Sequence, residues 1–128
     1  MKIYCQERKR KMTIEERLIQ AGIDWKSSLS RFGGNQDLYV RFLKKFTEDK
    51  TFQELQAAWS QEDTKETEVK AHTLKGVCAN LGMTVLAEQL DRIVQVMRNE
   101  ENGFANPQML SDCEREYEKI WKVLEELD

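Results

Sequence analysis

The chain has 128 residues, 40% of them hydrophobic and 34% charged, with one proline and six glycines. That balance fits one compact soluble helical domain better than a disordered chain. Twenty-three acidic residues against 20 basic ones leave a net charge of −3, which argues against a general nucleic-acid binder, since such proteins carry a basic face. No apolar run approaches the roughly 20 residues that cross a bilayer. No charged-then-apolar leader with a cleavage site stands out, so a cytoplasmic protein without membrane association is expected. Cys5, Cys78 and Cys113 are odd in number and widely spaced, as fits reduced thiols. With one histidine in the chain there is no metal-ligand spacing, and no cofactor is expected.

Residues 1–12 hold Lys2, Arg8, Lys9, Arg10 and Lys11 against Glu7 and are expected to form a flexible basic tail ahead of a domain at 13–128. Thr13-Ile14-Glu15-Glu16 has the spacing of a capping box. It predicts a short helix to Gln20, stopped at Gly22. Another short turn spans Asp24 to Arg31 and ends at Gly33-Gly34. Asn35 then caps a longer helix in which Leu38, Phe42 and Phe46 recur at i, i+4 and i+8, with Tyr39 and Leu43 widening the stripe. This helix is expected to run to Trp59 with a bend near Asp49-Lys50-Thr51.

Asp63-Thr64-Lys65-Glu66 repeats the box spacing and predicts a helix over 64–81, ended by Gly82. Leu86, Leu90, Ile93 and Met97 define a helix over 84–99. Asn106-Pro107 opens a last helix over 106–127, whose stripe includes Cys113, Tyr117, Ile120 and Leu124. Phe42, Phe46, Trp59, Tyr117 and Trp121 are expected in the core. Four amphipathic helices with short connections predict an all-α fold, an up-down-up-down antiparallel four-helix bundle with a short N-terminal helix over one end.

His72 falls inside the third bundle helix. At about 100° per residue, Leu74, Val77, Cys78 and Leu81 gather on one side and His72 points the other way. Glu68, Lys75, Gly76, Ala79 and Met83 share its exposed face, and Glu68, Ala79 and Met83 are expected to belong to a partner-docking surface. A mid-helix glycine costs roughly 1 kcal/mol against alanine, so Gly76 beside an exposed histidine suggests close approach by something large. A neutral imidazole can attack a phosphoryl group directly. Lys75, one turn on, would offset charge on the phosphoryl oxygens, and Gly76 would give clearance to the donor. General-base or metal-ligand roles account for one residue each; the nucleophile accounts for the whole face.

His72-Thr73-Leu74-Lys75-Gly76, followed by Asn80-Leu81-Gly82, resembles the motif of the histidine-containing phosphotransfer (HPt) domain family. Gly22-Ile23-Asp24, Leu29-Ser30-Arg31-Phe32-Gly33-Gly34, the segment Leu38 to Phe46 and Leu86-Ala87-Glu88-Gln89-Leu90 are similar to further blocks of that family, so the resemblance covers about residues 20–127. It implies a phosphocarrier, not an enzyme with kinase machinery of its own. His72 would be the phosphoacceptor, Lys75 the phosphate-stabilising cation and Gly76 the clearance residue. It implies response-regulator receiver domains and a hybrid sensor histidine kinase as partners, with Mg²⁺ on the receiver and the domain acting as a monomer. Some members place a glutamine on the following helix near the phosphohistidine. The corresponding position here is Val94, with Gln95 beside it. The alternative reading is a non-phosphorylated helical-bundle adaptor that binds receivers or another partner.

Overall fold

The computed structural model describes residues 12–127. They form α1 (Ile14–Gln20), α2 (Trp25–Arg31), α3 (Gln36–Phe46), α4 (Thr51–Ser60), α5 (Thr64–Asn80), α6 (Thr84–Arg98) and α7 (Gln108–Glu125), with a 3-10 turn at Gly103–Ala105. No strand occurs among the described residues, so the fold is all-α as expected. The basic tail lies outside the described residues, apart from the exposed Met12.

Local chemistry starts these helices where the sequence marks them. Thr13 and Glu16 close a reciprocal box, with each side chain accepting from the other's backbone N–H, at 3.1 and 2.9 Å. Asp24, Asn35 and Asp63 each accept from the backbone N–H three residues on, satisfying a donor that the first helical turn leaves unpaired. The helix expected over 35–59 is two helices, not one with a bend. Asp49 accepts from the N–H of Thr51 at 2.7 Å, and this side-chain bond starts α4 afresh. Likewise the N-terminal element is two helices, α1 and α2, parted at Gly22, whose φ of +87° turns the chain.

Side-chain pairs fix the directions of the bundle. Glu54 meets Lys70 at 3.2 Å, so α4 and α5 run antiparallel about their short connection. Lys75–Asp91 and Glu68–Arg98 set α6 antiparallel to α5. Gln56–Glu114 and Gln53–Tyr117 set α7 antiparallel to α4. Tyr39 reaches the Leu81 carbonyl at 2.7 Å, so α3 lies along the C-terminal half of α5 as α4 lies along the first half. α1 and α2 cover the end where α5 and α7 finish. There Arg17 meets Glu126 at 3.8 Å, and the Asp24 N–H donates to the Gly82 carbonyl at 2.8 Å.

The core is apolar along its length, with Leu43, Leu55, Leu74, Leu90, Ile93 and Ile120 all but inaccessible. Phe52 stacks on Tyr117 with centroids 4.1 Å apart, and Trp59 meets Phe104 edge-on at 5.2 Å. Phe42 departs from the expected core set. α3 buries Tyr39, Leu43 and Phe46, a stripe about 100° round from Leu38 and Phe42, and leaves Phe42 42% exposed. Cys78 and Cys113 are buried free thiols. Desolvation pushes the Cys113 thiol up to about 12 and the Cys78 thiol well above its ordinary value, so neither forms thiolate near neutrality.

Candidate functional site

α5 buries a narrow stripe of Thr67, Ala71, Leu74 and Cys78. His72 follows Ala71 by one residue, so its side chain leaves that stripe by about 100° and is exposed. One turn further on the same ridge is Gly76. A Cβ built there would meet nothing within 4 Å, so Gly76 is not held by packing. Ala79 is exposed one turn beyond it. The ridge is therefore bare beside the imidazole, as expected.

The α6 side of the ridge carries the charged groups. Lys75 Nζ donates to Asp91 Oδ1 at 3.0 Å, with the two side chains 31% and 44% exposed. Gln95 Nε2 donates to the same carboxylate oxygen at 3.5 Å. These contacts hold the Asp91 carboxyl below the usual carboxylate range, the Lys75 hydrogen bond foremost and the Gln95 bond second. Glu68 is half-buried and pairs with Arg98 at 3.1 Å, so it is engaged within the bundle. With 75 opposite 91 and 68 opposite 98, His72 lies level with 94 and 95. Val94 is buried and Gln95 is exposed; the polar group on that rim is Gln95.

Met83 is not part of this surface. It is 1% exposed. The helix ends at Asn80, Gly82 reverses the chain at a φ of +84°, and the Met83 N–H returns to the Cys78 carbonyl at 2.8 Å. A helical wheel extended past the helix end put it outside, whereas the turn folds it into the core.

Two shallow grooves flank the ridge. The α3 side holds about 640 Å³ lined by Phe42, Lys45, Thr73, Gly76, Val77 and Asn80, among others. The α6 side holds about 460 Å³ lined by Lys75, Ala79, Ala87, Glu88, Asp91 and Arg92. Gln95 was named by the family resemblance, beside Val94; Asp91 was not singled out by the sequence. The available signal was their four-residue spacing on one face of α6, and its meaning depends on the register against α5.

The bundle presents one exposed histidine, His72, on a bare ridge of α5. The chain belongs to the Hpt domain family, whose model matches residues 38–127. This gives it a phosphotransfer role in a histidine–aspartate phosphorelay, in which Hpt domains interact with receiver domains and histidine kinases. No curated protein and no solved structure matches the chain. Among the described residues no helix is long and apolar enough to cross a membrane.

Proposed function

We propose that the domain, taken as residues 13–128, is a phosphocarrier in which His72 accepts the phosphoryl group from a receiver's aspartyl phosphate and passes it to a second receiver. The unprotonated imidazole nitrogen attacks phosphorus. The N–P bond forms as the P–O bond to the aspartate breaks, and the carboxylate leaves with that electron pair. The same steps in reverse deliver the group to the next receiver. Lys75 offsets charge on the phosphoryl oxygens, and Gly76 lets the receiver's active site close over the ring. Mg²⁺ on the receiver supplies the electrophilic assistance. The exchange runs in the cytoplasm between a hybrid sensor kinase and response regulators, with this domain a monomer.

The observation that carries the reading is the exposed His72 on a ridge where Gly76 has open space. The test is incubation with receiver domains charged with acetyl phosphate. The expected product is acid-labile and base-stable, as a P–N bond is. His72→Gln should abolish it and leave thermal melting unchanged. Labelling that persists in His72→Gln would defeat the assignment. Binding to charged receivers without any transfer would point to the adaptor instead.

A further inference from the structure

The cation that this reaction uses is already engaged before any phosphoryl group arrives. Lys75 Nζ sits 3.0 Å from Asp91 Oδ1. Gln95 Nε2 donates to the same carboxylate oxygen at 3.5 Å, one turn further along α6, so Asp91 has a second partner on its own helix. Lys75 is three residues from His72, and side chains at that spacing are neighbours on a helix surface. The lysine can therefore reach a group on the imidazole by rotating its own stem, with no backbone movement. A second pair, Glu68–Arg98 at 3.1 Å, lies about one turn to the other side with the charges exchanged, the carboxylate on α5 and the cation on α6. Among the described residues the α5–α6 seam beside His72 thus carries two cross-helix ion pairs, and Arg92 lines the groove next to Lys75 as a further cation.

Half-exposed ion pairs of this kind are weak, and weakness makes an exchangeable tether. A phosphoryl group brings close to two negative charges and outcompetes a single carboxylate for the ammonium. Asp91 nonetheless keeps drawing on Lys75 while the group is bound. We propose that Asp91 is a positioning residue for phosphotransfer: it holds the Lys75 ammonium off the imidazole in the unphosphorylated protein and competes for it in the phosphorylated one, weakening the phosphohistidine so that the group is passed on. This rests on His72 being the phosphoacceptor.

The test is the equilibrium partition of phosphate between a receiver domain, charged with acetyl phosphate and then freed of it, and this protein. Asp91→Asn keeps the side-chain shape and removes the charge. The partition should move toward phosphohistidine by about two- to fivefold, the span of an exposed ion pair, with the melting temperature little changed. In a Lys75→Gln background the same Asp91→Asn substitution should have no effect, because its action runs through the lysine. An unmoved partition in Asp91→Asn overturns the proposal, and so does an equal shift with and without Lys75. A parent protein that takes no phosphate from any receiver is a different failure: it removes the phosphoacceptor reading itself, and the proposal with it.

Discussion

Gly76 and Gly82 stand six residues apart around the end of α5, and their surroundings are opposite. Around Gly76 there is nothing within 4 Å of an added Cβ. At Gly82 that Cβ would collide with Ser28 Oγ and lie 2.7 Å from the Asp24 carbonyl oxygen, at a backbone φ of +84°. The two differ because of what the neighbouring chain does. α2 and α3 are pinned onto the end of α5: Arg31 of α2 donates to the carbonyls of Ala79 and Asn80 at 3.0 to 3.3 Å, and Tyr39 of α3 donates to the Leu81 carbonyl. A cation at a helix C-terminus also offsets the negative end of the helix. The middle of the same helix has no such cover. At Gly82 packing demands a glycine; at Gly76, in open space and at a cost to its own helix, the absent side chain is what the proposed approach of a receiver would use.

The largest effect should come from breaking the crowded end. Gly82→Ala combines a strained backbone with a clash against main chain that cannot swing aside, and should destabilise by about 2–4 kcal/mol. Urea denaturation measures this, and phosphotransfer by the fraction still folded should be normal. A loss well under 1 kcal/mol would show that α2 gives way and that this end is not tightly docked.

The open glycine should respond in the opposite sense. Gly76→Leu replaces a poor helix former in a helix interior and should stabilise by about 0.5–1 kcal/mol. Its side chain would fill the space beside His72 and the α3-side groove, so receiver binding and transfer should be lost. Melting and receiver titration on the one variant decide it. Normal transfer would mean that close approach at this ridge is not required, and ready unfolding would mean that Gly76 packs after all.

How much of this was legible in the sequence follows from how local each feature is. The caps at Thr13, Asn35 and Asp63 involve residues three apart, and the sequence shows them directly. The exposed face of α5 follows from helical period alone. Phe42 was misplaced because hydrophobicity ranks it with the core, while the docking of α3 sets the buried stripe one residue round, on Tyr39, Leu43 and Phe46. Met83 was misplaced because periodicity does not register where a helix stops. Gly82 reads as a helix stop in the sequence; that it also has no room for a side chain depends on α2, more than fifty residues earlier. Gln95 was pointed to by the family resemblance; Asp91 acquires meaning only through the register of α6 against α5, which no single helix encodes.

The smallest effect concerns that seam and is read by titration. Asp91 has its carboxyl held low by Lys75 first and Gln95 second. A carboxyl whose folded value is depressed contributes stability above its unfolded value, near 3.9 for aspartate, and loses it as pH falls through the folded value. The Asp91 carboxylate therefore stays ionised throughout the neutral range and is protonated only in acid, below the ordinary aspartate range. Any pH dependence of phosphotransfer near neutrality must then arise elsewhere than at Asp91. Carbon-13 NMR of the Asp91 carboxyl should give a midpoint below the ordinary value. Lys75→Gln should raise it most of the way back, and Gln95→Ala should raise it less, because Lys75 is the stronger partner. A midpoint that ignores Lys75→Gln would show that the 3.0 Å pair does not persist in solution, and the crowded and open parts of α5 would then differ in packing but not in how their polar groups are held.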